Sequence, residues 1–512
     1  MIKLVVALIV IGVMVRLAWK LLNWAWLKPK KLEKWLREEG FDGTPYKLLI
    51  GDFIQQAKMM KESRLKASPI THDITPLVMP FDHHIVKTYG KRSYLWFGPV
   101  PRVFIMDPQL IKDIFLRPFD FEKPHPDPLR DSIVGGIVTA EGEKWHKERQ
   151  IINPAFLLKH IQNMFPLIIL SCNSMIEKWE KLTLRGGLTE VDVCPFIDNL
   201  AGDVISRTAF GSCYEEGHVI FRILREQTEY AIENIVMIFL PGGRSIPTRA
   251  NRKYKDNEKE LQAILRKIID KRNKSLKIGE DSCDDLLGTL LKSNAKAMEG
   301  NGVGMSLEDV IEECKTFYNA GSETTSRLIA WTMVCLCLHP EWQIKARQEV
   351  QEVFGSRELD FESLKQLKIV TMILNEVLRL YPPVVMVTRA TTKETELGNM
   401  MMPAGIQIAI PILEIHHDRE IWGEDASEFK PERFTNGIGD ATKDRGSHSF
   451  LPFTGGPRIC IGQNFAMVEA KVAIVKILQR FSFELSPSYK HSLTPVFTLT
   501  PNFGVHVVLR TI

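Results

Sequence analysis

Between Ser306 and Pro340 the chain reads "SLEDVIEECKTFYNAGSETTSRLIAWTMVCLCLHP", and this stretch limits the possible folds more than any other. Ser306 and Asp309 form an S-x-x-D start signal and Pro340 a stop, so the spacing predicts one uninterrupted helix. At about 1.5 Å per residue it runs ~50 Å, long for a globular protein and suited to crossing a whole domain. Val310, Cys314, Phe317, Gly321, Thr324 and Leu328 share one stripe, apolar except at its middle. There Gly321, which costs ~1 kcal/mol of helix stability relative to alanine, allows something to approach the backbone closely. Thr324 beside Glu323 reads two ways at this point. The pair is an acid and an alcohol in a buried site, or Thr324 only bonds back to the preceding turn.

A second constraint is "FTGGPRICIG", residues 453–462, which places Cys460 among turn-formers just before the helical pattern "IGQNFAMVEAKVAIVKILQRF". A sulfur at a loop-to-helix junction meets exposed N–H groups and a positive dipole end, which favour a thiolate. A small core cysteine is the competing reading. The eight cysteines (172, 194, 213, 283, 314, 335, 337 and 460) show no Cys-x-x-Cys pair and no dense disulfide spacing, so the bulk of the chain reads as reduced and cytosol-facing. Cys335 and Cys337 suit core packing. A net charge of +4 with no basic run interleaved with aromatics argues against nucleic-acid binding.

Residues 4–27, "LVVALIVIGVMVRLAWKLLNWAWL", are mostly apolar and about long enough to cross a bilayer. Arg16 and Lys20 share a face from which they can snorkel, and Trp19, Trp24 and Trp26 suit an interfacial belt. Lys28, Lys30, Lys31, Lys34 and Arg37 follow, which places the remainder on the cytosolic side. The basic cluster is downstream and no small-x-small cleavage site follows, so an uncleaved anchor fits better than a secretory signal. The expected division is an anchor over 1–27, a short stiff linker over 28–50 starting near Pro29, and one domain over 51–512. "SYLWFG" and "PRVFIM" within 93–106 read as strands, and helical patterns dominate afterwards. Residues 274–285 and 293–304 read as surface loops. A mainly helical single domain with small sheets is the simplest account.

"NEVLRLYPP" sets Glu376 and Arg379 three apart on one helical face before a Pro-Pro stop, among apolar neighbours. If buried, this pair needs further partners, and Arg433 in "FKPERF" is available.

Together these stretches strongly resemble the cytochromes P-450. Phe453, Gly456, Arg458, Cys460 and Gly462 fit the haem-binding signature F-x-x-G-x-R-x-C-x-G. Glu376 and Arg379 fit E-x-x-R, and Arg433 fits P-E-R-F. Ala320, Gly321, Glu323, Thr324 and Thr325 fit A-G-x-E-T-T, and Trp145 and Arg149 fit W-x-x-x-R. "LNEVLRLYPPVVMVTRA" and "HHDREIWGEDASEFKPERF" are similar to the plant family 72 enzymes, a group that includes secologanin synthase and several triterpenoid oxidases. Ser322 departs from the glutamine that this group tends to carry.

The resemblance implies the P-450 fold, with haem b (iron protoporphyrin IX) between the long helix and the cysteine loop. It implies Cys460 as the iron ligand and Trp145, Arg149, Arg389 and Arg458 on the propionates, with Phe453 and Gly321 also against the cofactor. Gly321 would leave room for dioxygen, with Thr324 and Glu323 organising proton delivery. Glu376, Arg379 and Arg433 would fix the haem loop. No flavin or nicotinamide motif appears in the chain, so electrons are expected from NADPH–cytochrome P-450 reductase in the same endoplasmic reticulum membrane, docking near Cys460. Lys144, Lys147 and Lys471 are candidate contacts or simply solvated charges. The substrate would be a small apolar terpenoid, iridoid or triterpenoid, bounded by 132–138, Phe317, Asn319, the "PVVMV" run and 496–499. Hydroxylation, secologanin-type ring cleavage and hormone-catabolic hydroxylation all suit such a site. A haem-thiolate isomerase or dehydratase would not need the acid–alcohol pair.

Overall fold

A capping box opens the long helix at the expected residue. The Ser306 hydroxyl accepts from the Asp309 N–H, and the Ser306 N–H donates to the Asp309 carboxylate at 3.0 Å. The helix runs Leu307–Leu338 and ends at His339, before Pro340. It is buried on almost every side, as a helix crossing the middle of a domain must be, except at 320–324, where cavities adjoin it. The computed structural model describes all residues except 1, 66–68, 126, 128, 184–187, 212, 213, 235–237, 239–242, 279–284, 302, 303, 356 and 496.

Helices pack round this axle. Cys194–Phe210 lies along it, and Leu158–Thr183 and Gln463–Arg480 pack behind. Trp331, midway along, stacks on Tyr381 at 4.8 Å and donates its indole N–H to the Leu499 carbonyl. A six-stranded sheet forms a second, smaller core. Its order is Asp42–Gly43, Ser93–Phe97, Val100–Phe104, Gln407–Ile410, Val387–Thr391, Phe121–Glu122. Phe121 pairs with Thr391 and Glu122 with Ala390, so the next residue, Lys123, arrives beside Arg389. Register thereby brings together two cations that are far apart in sequence.

Helix Ile2–Leu22 continues through a π turn, Asn23–Leu27, into helix Lys28–Glu38. The span is long and apolar enough to cross a membrane, with an 18-residue window of mean hydropathy 2.3 and none of that window buried. Residues 28–50 differ from the expected linker. Pro29 falls in the first turn of a helix, where its missing N–H is harmless, and Leu32 and Leu36 are buried in the sheet core with Tyr46 and Trp96. Tyr46 donates its hydroxyl to the Ala25 carbonyl at 2.6 Å and its N–H to Glu33. The segment is therefore docked.

Of the two expected surface loops, the second is largely helical and the first is helical at its start. Helix Arg249–Lys277 takes in 274–277, and 279–284 lie outside the described residues. Helix Leu286–Asn301 takes in 293–301 because Leu286, Leu287, Leu290 and Leu291 bury one face, which outweighs the turn-rich composition. Asn294 then holds both backbone groups of Met305.

Candidate active site

The cysteine loop is built by backbone geometry. The Cys460 N–H closes it on the Phe453 carbonyl at 3.0 Å, and the Thr454 N–H turns back to Leu451. Thr454 adopts a left-handed conformation (φ 62°), held by its hydroxyl bond to the Arg458 carbonyl. Gly456 (φ 66°) has no alternative: a Cβ there would lie 2.4 Å from the Phe115 carbonyl oxygen. Helix Gln463–Arg480 begins just after Cys460, and the N–H groups of Gly462 and Gln463 point to the sulfur. Protein encloses this cysteine, and its exposed surface is cavity wall. Burial pushes the thiol pKa up, while those two N–H groups and the Arg149 guanidinium pull it down.

The cavity that Cys460 opens into has a volume of about 350 Å³. Phe317, Ala320, Gly321, Thr324 and Leu328 of the long helix line it together with Phe453 and Cys460. The expected stripe thus faces the expected loop. Ile137, Val138, Pro383, Val384 and Val387 add an apolar wall.

Cations crowd one side. Arg389 is 5% exposed, and among the described residues its guanidinium makes one hydrogen bond, to the Thr388 carbonyl; burial and nearby Arg458 bring its pKa down to about 10. Arg458 bonds the Ala140 carbonyl and Glu141, lies 4.2 Å from the Trp145 ring centroid, and leaves its buried Nε without a partner. The Arg149 guanidinium lines the cavity with no hydrogen-bond partner among the described residues. Lys123 donates to the Val138 carbonyl, and burial with Arg458 and Arg389 pushes its pKa well down. Glu141 is the nearby carboxylate, its own pKa raised by burial. Three cations round one carboxylate, with Arg149 on the same cavity wall, keep spare donors and form a site for a dianionic ligand. With a thiol on the wall and an apolar cavity between, the residues fit haem. Sequence reasoning missed Lys123, whose stretch "FEKPHPDPLR" carries no periodic signal.

Glu376 and Arg379 are both fully buried and pair through two bonds of 2.6 and 2.8 Å. Arg379 gives its other N–H groups to the carbonyls of His416, Ala426 and Glu428. The Lys430 N–H caps Glu376, and Arg433 approaches it to 3.6 Å while gripping the Trp422 and Asp425 carbonyls. The expected three-residue set is assembled.

Three expectations need correction. Glu323 does not share the cavity of Thr324. Neighbours on a helix point about 100° apart, and the Glu323 carboxylate accepts from Thr498 at 2.6 Å on the edge of a separate polar cavity of about 190 Å³. Burial raises its pKa. Thr324 lines the main cavity, with its hydroxyl donated back to the Ala320 carbonyl at 2.8 Å. Gly321 lines the main cavity as expected and also admits a neighbouring helix: a Cβ there would meet Ile205 Cδ1, on helix Cys194–Phe210, at 2.5 Å. Asn319 faces the smaller cavity and donates to the Ile133 carbonyl. Of 496–499, Val496 lies outside the described residues and Leu499 bonds the Pro383 carbonyl. Among the candidate docking lysines, Lys144 is paired with Asp309 at 2.6 Å and Lys471 lies 3.5 Å from the Leu364 carbonyl.

Comparison with known proteins agrees with this geometry. The cytochrome P450 family profile matches residues 78–505. Cytochrome P450 72A397 of Kalopanax septemlobus is 49% identical over 96% of this chain and 95% of its own length. Cytochrome P450 72A15 of Arabidopsis thaliana is 50% identical over 96% of each. Secologanin synthase 1 of Catharanthus roseus is 44% identical over 99% of this chain and 98% of its own. The fold matches retinoic acid-bound cyanobacterial CYP120A1 with a TM-score of 0.76, at 23% identity, over 92% of this chain and 99% of that one. A buried cysteine loop facing a long helix across a cation-rimmed cavity, and relatives aligned along nearly the whole length, lead to one conclusion: the chain belongs to the cytochrome P450 family, as a monooxygenase of the plant 72A group.

Proposed function

We propose that this enzyme oxidises a small apolar terpenoid, iridoid or triterpenoid, using haem b ligated by Cys460 and electrons from NADPH–cytochrome P450 reductase. Residues 1–27 anchor it in the endoplasmic reticulum membrane in a single pass, with the catalytic domain, into which the 28–50 segment is docked, in the cytosol. The observation that carries the reading is the pairing of a cavity-facing cysteine with four under-satisfied cations round an otherwise apolar space. Bound there, haem supplies dioxygen activation, with thiolate ligation favouring O–O cleavage. Lys123, Arg149, Arg389 and Arg458 would hold its carboxylates, with Trp145 against Arg458 and Phe453 on the cysteine side of the cavity.

Thr324 then presents its hydroxyl oxygen to the cavity and orients a proton there. Glu323, its pKa raised by burial, sits on the polar side of the same helix, bonded to Thr498, and would reach the Thr324 side only through intervening water. The apolar wall of Ile137, Val138, Phe317, Val384 and Val387 excludes water and suits a hydrocarbon skeleton. Oxidative ring cleavage is a second outcome, supported by similarity to secologanin synthase over 99% of the chain.

The test is turnover with NADPH and reductase across iridoid and triterpenoid substrates, with Cys460→Ala as control. The reduced, carbon-monoxide-treated wild type is expected to show the red-shifted Soret band of thiolate ligation, and the variant to lack it. An intact band in Cys460→Ala refutes the ligand assignment; no product from either substrate class refutes the terpenoid reading.

A further inference from the structure

The Glu376–Arg379–Arg433 set grips the backbone at His416, Trp422, Asp425, Ala426, Glu428 and Lys430, none of which belongs to the cysteine loop. Something else must carry its rigidity to Cys460. Among the described residues, one hydrogen bond joins this set and the backbone it grips to residues 451–462. The Leu451 N–H donates to His416 Nε2 at 2.8 Å.

The His416 ring is fully buried and engaged at both nitrogens. Its Nδ1 lies 3.1 Å from the Arg379 carbonyl oxygen, which can only accept. The Leu451 N–H can only donate. The proton is therefore on Nδ1 and the lone pair on Nε2, a single tautomer of a neutral ring. The His416 carbonyl accepts in return from Arg379 Nη1 at 2.8 Å, so residues 379 and 416 are clasped in both directions. Phe450 stacks on the ring with centroids 5.4 Å apart, which fixes its plane. Leu451 in turn receives the Thr454 N–H, and the turn that follows closes at Cys460.

We infer that His416 is a positioning residue: its imidazole, held as the Nδ1–H tautomer, ties the Arg379 backbone to the start of the cysteine loop and so keeps the Cys460 sulfur in place for the iron. The inference rests on Cys460 being the ligand, and neither nitrogen of His416 touches the cavity.

The experiment compares the wild type, His416→Phe, His416→Gln and His416→Asn, all as full-length holoenzyme. Each is followed for the lifetime of the thiolate Soret band of the carbon-monoxide complex, with helical circular dichroism and total haem recorded alongside. Phenylalanine keeps the stack on Phe450 and removes both hydrogen bonds. Glutamine places an acceptor near the Nε2 position, whereas asparagine reaches only the Nδ1 position. The expected result is loss of the band about tenfold faster in His416→Phe, at unchanged helicity and haem content. Glutamine should restore the lifetime more than asparagine. An unaltered lifetime in His416→Phe, or equal behaviour of glutamine and asparagine, overturns the inference. Should the phenylalanine variant fail to fold, the glutamine–asparagine difference and slow deuterium exchange of the wild-type Leu451 amide decide it, fast exchange counting against. Absence of the thiolate band in the wild type itself would instead refute the ligand assignment.

Discussion

Arg379 and Arg389 are both buried, at 0% and 5% exposure, yet they are furnished in opposite ways. Arg379 makes five hydrogen bonds, two to Glu376 and three to backbone carbonyls, which uses every N–H it has. Arg389 makes one, to the carbonyl of its own neighbour, and has cationic Arg458 and Lys123 close by. A buried guanidinium without partners is costly, so the second arrangement persists because something else completes it. Burial alone would rank the two alike. The count of unfilled donors separates an architectural charge from a binding one.

Four experiments press on this contrast. Arg379→Ala strands the Glu376 carboxylate in a dry site, and breaking such a pair costs ~3–5 kcal/mol, a large part of domain stability. Haem content per purified chain should fall close to zero; full occupancy would mean the network is dispensable. Thr324 stands between the two cases, its hydrogen spent on Ala320 and its lone pairs turned to the cavity. Thr324→Ala should keep haem and substrate affinity while product formed per NADPH consumed drops by ~10²-fold or more, the range of a lost proton-directing group. An unchanged ratio would make the hydroxyl a helix-packing group only.

Arg389→Ala should leave the fold intact by circular dichroism and weaken haem retention, read as transfer to a scavenging globin. Losing charged hydrogen bonds worth ~1.5–3 kcal/mol corresponds to roughly 10- to 100-fold. Collapse of the apoprotein instead would erase the distinction from Arg379. The smallest effect concerns pH. Burial and the neighbouring Arg458 and Arg389 depress the Lys123 pKa, and the carboxylates of a bound haem would raise it, so haem binding is expected to take up a proton. Affinity should therefore decline as pH rises from the depressed value toward the ordinary lysine range. Lys123→Met should flatten that slope; the same slope in both proteins would assign the proton elsewhere.

Features carried by local pattern were readable from the sequence. The capping signal at Ser306, the stop at Pro340 and the apolar stripe delivered the long helix, and the turn-formers round Cys460 delivered its loop. Glu376 and Arg379, three apart on one face, delivered their pair. What stayed hidden depends on register and rotation. Lys123 joins the cations because a two-residue strand pairs Phe121 with Thr391, and nothing in that short stretch announces it. Glu323 was misplaced although the helical angle between neighbours already separates it from Thr324. Gly321 lines the cavity as read, but its second role, admitting Ile205 of a neighbouring helix, is a contact that no single-segment pattern encodes. Residues 293–301 looked like a loop by composition, yet the leucines before them carry the helix through.

The crowding of Lys123, Arg389 and Arg458 round Glu141 has a consequence for the life of the chain in a cell. A ligand bound by the native state alone adds RT ln(1 + [L]/Kd) to its stability, about 4 kcal/mol when the free ligand stands at a thousand times Kd. Here that ligand also cancels a like-charge repulsion, so the chain gains most from it where it is weakest. Less folded enzyme is therefore expected to accumulate where porphyrin is scarce, which protein levels under limiting haem supply would read. Chains made when porphyrin is scarce are the ones that quality control removes.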